Sequence, residues 1–229
     1  MEKAKISEVF SSIQGEGIYA GRKEIFVRFS GCNLNCVFCD TDNKRGKFYT
    51  VKKLAQKISK HSDGFGSGAK WLTLTGGEPL LWSDFLEGFL LFLNKKYKIS
   101  LETNGTLPDR FKRIKDLVDL VALDFKLPSS TKEKPFWKEH QKFLKLAGDK
   151  SFVKAVITGR TTLKDLKKAV KVISDINQEI PFVLLPASAY KKFRDVPRIE
   201  KVLQFQEEAL KFIPDVRIIP QVHKFLKLK

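Results

Sequence analysis

EIFVRFSGCNLNCVFCDT, residues Glu24–Thr41, begins as an apolar run and passes at Ser30 into a loop that holds all three cysteines of the chain. Its first part, EIFVRF (24–29), has the β-branched and aromatic content of a strand. Cys32, Cys36 and Cys39 follow in a Cys-x3-Cys-x2-Cys pattern. Thiolates so closely spaced cannot all point at one metal from a regular strand, so a loop must wrap around the site. Three thiols suit neither paired disulfides nor a closed zinc site, which takes four ligands. They can hold three irons of a cubane [4Fe–4S] cluster and leave the fourth iron open. A Cys3His zinc site is the alternative, although His61, His140 and His223 have no characteristic spacing to the cysteines. A ferredoxin-like electron carrier normally has four thiolates.

Outward from this stretch the same unit recurs: a short β-rich apolar run, then a helical pattern. Strands are expected at 24–29, 70–75, 98–103, 120–125, 152–157 and 181–186, with DVRII (215–219) adding one near the end. Amphipathic segments lie near 50–60, 83–95, 109–117, 135–147, 162–175 and 197–212, the fifth with Thr162 and Asp165 as a capping pair. Strands alternating with helices imply parallel βαβ units. Polar residues gather at the strand ends, as SGC, GGEP, ETNG, DFK, TGR and PAS. Ligands bind at the carboxyl ends of strands in parallel α/β sheets and barrels. The expected fold is therefore α/β, an incomplete (β/α)6 barrel whose parallel sheet is open on one side, with one site built from these loops. One domain is expected over 1–229.

With 42% hydrophobic residues over 229 positions, the chain can bury a sizeable core. FLEGFLLFL (Phe85–Leu93) is too short to span a bilayer, and MEKAKISEVF lacks the apolar region of a signal peptide. A reducing cytoplasm is the expected setting for free thiols. The net charge of +17 comes mostly from dispersed lysines that read as solvated helix faces. No basic block with interleaved aromatics supports nucleic-acid binding. The charge also suits an acidic small molecule or an acidic electron-donor protein such as flavodoxin or ferredoxin.

The cysteine pattern, with Phe38 before the last thiol, and TGGEP (Thr75–Pro79) together resemble the radical S-adenosylmethionine (SAM) superfamily. The resemblance implies that the open iron chelates SAM and that the reduced cluster cleaves it to a 5′-deoxyadenosyl radical. SSIQGEGIYAG (Ser11–Gly21), FVRFSGCNLNCVFCDT, LETNG (Leu101–Gly105) and PQVHK (Pro220–Lys224) are similar to the 7-carboxy-7-deazaguanine synthase family. That family converts 6-carboxy-5,6,7,8-tetrahydropterin, by ring contraction and loss of ammonia, into the precursor of queuosine- and archaeosine-type 7-deazapurines. A homodimer, a [4Fe–4S] cluster, SAM and Mg²⁺ are implied with it.

Arg28 interrupts an apolar strand, and arginine is seldom fully buried unless paired. Its planar fork suits a carboxylate, either of the protein or of a ligand. The resemblance favours the substrate carboxylate. It further implies substrate contacts from Ile13, Gln14, Gly15, Glu16, Thr75, His223 and Lys229, within an N-terminal loop (about 8–22) and a C-terminal segment (about 215–229). Thr41 is implied as the Mg²⁺ ligand. SAM contacts are implied at Phe38, Cys39 and Asp40, at Gly76, Gly77 and Glu78, where glycine lets the backbone approach a ligand, and at Glu102, Thr103 and Asn104. Asp124, Phe125 and Lys126, with Leu185, Pro186, Ala187 and Ser188, complete that set. Many members of the family carry Ser-Pro-Lys in place of DFK and Gln-Pro in place of Leu185-Pro186. Asp124 can still accept from ribose hydroxyls, whereas Leu185 has no hydrogen-bonding side chain. No general base is nominated. Another radical SAM enzyme, such as a glycyl-radical activase, and a zinc-stabilised basic nucleic-acid-binding domain are the rival readings.

Overall fold

The structure, a computed structural model, describes residues 2–41, 45–62 and 70–228. Among them the strands are β1 (Lys3–Ile13), β2 (Lys23–Phe29), β3 (Lys47–Thr50), β4 (Trp71–Gly76), β5 (Lys98–Thr103), β6 (Leu120–Asp124), β7 (Ser151–Ile157), β8 (Phe182–Pro186) and β9 (Val216–Ile218). The helices are α1 (Val51–Ser59), α2 (Ser83–Leu93), α3 (Pro108–Ile114), α4 (Pro128–Thr131), α5 (Trp137–Ala147), α6 (Leu163–Ser174), α7 (Ile199–Leu210) and α8 (Val222–Phe225). The sheet order is β3-β1-β2-β4-β5-β6-β7-β8-β9. From β2 onward every pairing is parallel, while β1 runs antiparallel to both β2 and β3. The two ends of this order do not pair, which leaves the barrel open.

Successive helices from α1 to α3, and from α5 to α7, cover the outer face of the sheet and pack on their neighbours. Strand alternation sorts the side chains. Leu72 and Leu74 of β4, Ile99 and Leu101 of β5, and Val153, Ala155 and Ile157 of β7 join the main core under the helices. Their neighbours Thr73, Thr75, Glu102, Lys154 and Val156 face the barrel interior. Local signals agree with this arrangement. Thr50 and Thr162 accept hydrogen bonds from Lys53 N and Asp165 N at the starts of α1 and α6, and prolines open α3 and α4. In the capping pair only the Thr162 half forms, because the Asp165 carboxylate accepts from Ser129 N instead.

Two differences from expectation lie at the N-terminus. Residues 8–13, expected in a substrate loop, are the second half of β1, and the loop itself is 14–22. Strand β3 is likewise unexpected. Both elements pair antiparallel at the sheet edge, where mixed burial replaces the continuous apolar run of a central strand. The loop closes on itself through Gln14 N to Arg22 O at 2.7 Å and Gly21 N to Gln14 O at 2.8 Å. It then fills the end of the interior where the parallel strands begin. Ile18 packs with Leu120, Ala122, Phe152 and Val183, and the Arg22 guanidinium lies 3.7 Å from the Trp71 ring centroid and 4.3 Å from that of Tyr19. Gly17 needs its positive φ of 75° and has no room for a Cβ above the Phe152 ring.

Fully buried His140 on α5 supports the opposite end. Its ring stacks on Phe125, centroids 4.5 Å apart, and Nε2 donates to the Asn104 carbonyl at 3.0 Å. That bond fixes the Nε2–H tautomer and leaves Nδ1 without a partner among the described residues. Burial lowers its pKa to about 4, and Lys126 pushes the same way. An ordinary histidine takes up its proton near pH 6.5, so the unfolded chain binds more protons in between, and the contribution of His140 is complete above pH 6.5 and lost as pH falls through about 4. The unfolding free energy of the wild type minus that of His140→Gln should therefore shrink by up to about 1.4 kcal/mol per pH unit in this window, measured by urea denaturation. A constant difference would refute the neutral buried imidazole.

Candidate active site

At the carboxyl ends of the parallel strands lies a cavity of about 900 Å³. The cysteine loop forms one wall. It leaves β2 through Gly31, at φ 90°, and returns along α4. Asn33 donates to Thr106 Oγ1 at 2.7 Å and accepts from Asn104 Nδ2 at 3.0 Å, Val37 N reaches Thr131 O, and Glu78 N reaches Gly31 O at 2.8 Å. Cys32 and Cys36 are half-buried and Cys39 is exposed, all three free and all lining the cavity. Burial pushes the Cys36 thiol up to about 12, against the pull of Lys126, and raises Cys32 as well. Such thiols ionise readily only when a metal displaces the proton.

Among the described residues no three His, Cys, Asp or Glu side chains are disposed to hold a single metal ion. His140 is committed to Asn104, and His223 lies against Gly15. Three thiols around one cavity, with no fourth donor among the described residues, fit a cluster with an open iron better than a closed zinc site.

The strand ends are tied to one another by buried polar groups. Glu78 is fully buried. Its Oε1 accepts from Leu80 N at 3.1 Å and Thr103 Oγ1 at 2.9 Å, and Oε2 accepts from Asn104 N at 2.8 Å. Burial outweighs these bonds and raises its pKa to about 7. A Cβ on Gly76, at φ 127°, would collide with the Phe29 backbone, so this glycine, which lines the cavity, also permits close approach of β4 to β2. Asp124, which lines the cavity, pairs with Lys126 at 2.7 Å through Oδ2, while Oδ1 is buried and has no partner among the described residues. Burial opposes the charge on Lys126, but Asp124 and then Cys36 outweigh it and raise its pKa. Leu185 packs with Val156 and Ala187 against Phe38 and Phe193 as an apolar shelf.

Further lining comes from the N-terminal loop and the C-terminal segment. Glu16 accepts from Lys154 Nζ at 2.5 Å and from Gln221 Nε2 at 2.8 Å. Burial alone would push its carboxyl up, yet Lys154 and then Gln221 outweigh it and hold it at about 2. Gln14 is committed to the protein: Nε2 reaches Glu24 Oε2 at 3.3 Å and Glu102 Oε1 at 3.1 Å, and Oε1 accepts from Glu16 N at 3.2 Å. Thr75 donates to Glu102 Oε2 at 2.7 Å. Glu24, held by Thr73 and Arg22, has its pKa raised by burial. Among the described residues the Arg28 guanidinium meets a loose ion pair, Nε to Glu8 Oε2 at 3.9 Å, and lies against Phe10. Val222 N donates to Gly15 O at 2.9 Å, and the His223 ring occupies the space a Cβ on Gly15 would need. Lys224 pairs with Asp40 at 2.6 Å, so the C-terminal segment bridges the substrate-side loop and the cysteine loop.

Most sequence-predicted residues therefore share one cavity. Ile13, Gly15, Thr41, Gly77, Thr103, Ala187 and Ser188 also line it. Glu78, Phe125 and Pro186 do not: Glu78 braces two strand ends and Phe125 lies under His140. Lys229 lies outside the described residues. Lys154, Glu24, Gln221 and Lys224 were not anticipated. Lys154 carries the same signal as Arg28, a cation breaking an apolar strand. Glu24 looks like a strand boundary, and the other two sit in a short terminal segment with no periodicity.

The radical SAM superfamily profile matches residues 26–187. A 7-carboxy-7-deazaguanine synthase of Methanothermobacter thermautotrophicus is 36% identical, with 99% of this chain and 98% of that protein aligned. Those of Geobacter sulfurreducens and Aquifex aeolicus are 31% and 33% identical over 97% and 98% of this chain and 97% and 94% of their own lengths. QueE from Escherichia coli superposes with a TM-score of 0.65 at 18% identity, covering 96% of this chain and 95% of that one. Fold, cysteine loop and full-length likeness agree, and the chain belongs to the radical SAM superfamily and, within it, to the 7-carboxy-7-deazaguanine synthase family.

Proposed function

We propose that the chain converts 6-carboxy-5,6,7,8-tetrahydropterin to 7-carboxy-7-deazaguanine with loss of ammonia, as a radical SAM lyase. One observation carries the reading: a single cavity is lined by three free thiols, a loosely paired arginine and a glutamate held by Lys154. The substrate needs both ends of that arrangement. Its carboxylate suits the Arg28 fork, and its aminopyrimidine edge suits the Glu16 carboxylate. The family implies a [4Fe–4S] cluster and SAM, and the residues fit them. Cys32, Cys36 and Cys39 would hold the cluster, the Asp124 carboxylate would accept from a ribose hydroxyl, and the Val156–Leu185–Ala187 shelf would take the adenine face. The cluster and SAM, so held, would supply the hydrogen-atom abstraction that starts ring contraction. The chain's own work is placement: Lys126 keeps a positive charge beside Cys36, and the paired Asp40 and Lys224 hold the C-terminal segment over the cavity.

In this reading one domain spans 1–229, and the loop 14–22 and the C-terminal segment complete its site. Thr41, which lines the cavity after Cys39, would ligate Mg²⁺ together with substrate oxygens and water. The net charge of +17 favours an acidic electron donor such as flavodoxin or ferredoxin. Exposed Ile199, Leu203 and Leu210 on α7, and Phe225, Leu226 and Leu228 near the end, offer apolar surface to a second copy in a homodimer. Free thiols suit a reducing cytoplasm, and among the described residues no helix is long and apolar enough to cross a membrane.

The test is anaerobic turnover of the pterin with SAM, reductant and Mg²⁺, followed by mass spectrometry. A pterin-dependent product lighter by ammonia is expected, and SAM cleavage without such a product would overturn the assignment. Arg28→Ala should raise the KM for the pterin by about 10- to 100-fold, the worth of a charged hydrogen-bonded pair, while cluster content stays at the wild-type level. An unchanged KM would return Arg28 to a structural role.

A further inference from the structure

Lys154 is a buried cation that the sequence reading does not use. It sits on β7 between the inward-facing Phe152 and Val156, its side chain 5% exposed, and its ammonium is 2.5 Å from Glu16 Oε2. Glu102 and Asp124 reinforce its charge from β5 and β6. Gln221 Nε2 takes the other oxygen of Glu16 at 2.8 Å. The loop itself has little freedom, because His223 fills the space over Gly15 and Phe152 lies under Gly17. We infer that Lys154 is a positioning residue that fixes the Glu16 carboxylate as the specificity-determining acceptor for a paired N–H/NH2 edge in the substrate ring.

The geometry follows from counting lone pairs. An ionised carboxylate has about four acceptor sites. Lys154 and Gln221 take one on each oxygen, which leaves one on each for the cavity. Two such acceptors side by side match an adjacent ring N–H and exocyclic NH2, the same two-donor fork by which guanidinium binds carboxylate. A ring bearing oxygen in place of that NH2 would set its carbonyl against a carboxylate oxygen. A half-buried anion held by one cation and one amide cannot turn freely to relieve the conflict, so the site selects a 2-amino over a 2-oxo pyrimidine ring. The sequence signal is a lysine in an otherwise apolar strand, FVKAVI.

This inference rests on the proposed function, and its test separates the two. KM and kcat are measured for 6-carboxytetrahydropterin and its 2-oxo (lumazine) analogue with wild type, Lys154→Met, Glu16→Gln and the double variant, with iron content and SAM affinity determined for each. Lys154→Met should raise the pterin KM at least tenfold, change kcat less, and narrow the preference for the 2-amino ring, with SAM affinity unchanged. Removing Lys154 alone leaves the half-buried Glu16 carboxylate uncompensated, so that variant can fail to fold. The double variant removes both charges and is then compared with Glu16→Gln. If Lys154 acts through Glu16, the two have the same KM and the same preference. A double variant well below Glu16→Gln, or a loaded Lys154→Met with the wild-type KM and preference, overturns the inference alone. A wild type that turns over no pterin overturns the functional reading and this inference with it.

Discussion

Each charged side chain inside this barrel has to find a partner there, and the site is largely a consequence of how it does so. An unpaired ion in such a place costs several kcal/mol. Glu16 is met by Lys154, Asp124 by Lys126 and Glu24 by Arg22, while Glu102 takes hydrogen bonds from Thr75 and Gln14. Two of these contacts, Glu16–Lys154 and Gln14–Glu102, tie the N-terminal loop to distant strands. The same interactions that make the interior tolerable therefore hold the loop residues at the cavity.

The cavity has two chemically different halves. Near the cysteines the environment raises thiol pKa values, and cluster assembly has to displace those protons. Near Glu16 the balance of burial against Lys154 and Gln221 keeps a carboxylate ionised. One half suits a metal cluster, the other a polar heterocycle. Lys224 and Asp40 join them, since the chain segment carrying Gln221 and His223 is also anchored beside Cys39.

The parallel repeat was legible in the sequence because its strands are buried on both faces and its helices carry a regular polar stripe. EIFVRF and FVKAVI stand out for that reason. KAKISEVFSSI and KFYT did not, since β1, whose register shifts between Ile6 and Glu8, and the edge strand β3 have mixed burial and show neither a continuous apolar run nor clean alternation. Cavity-lining residues at strand ends were legible from their position. What stayed hidden was which polar groups the protein itself consumes. Gln14 and Glu78 look like ligand contacts in a motif, yet Gln14's amide and both oxygens of Glu78 are satisfied by residues up to 88 positions away. Such pairings depend on strand register, which no local pattern encodes. Lys229 lies outside the described residues.

Cys32, Cys36 and Cys39 would hold three irons of a [4Fe–4S] cluster and leave the fourth for SAM. The most direct test is the electron paramagnetic resonance spectrum of the anaerobically reconstituted, reduced protein, recorded before and after SAM is added. A [4Fe–4S] signal whose g values shift on adding SAM, and which is absent from Cys36→Ala, is expected. A cluster spectrum that SAM leaves unchanged, or stoichiometric zinc in place of iron and sulfide, would contradict it.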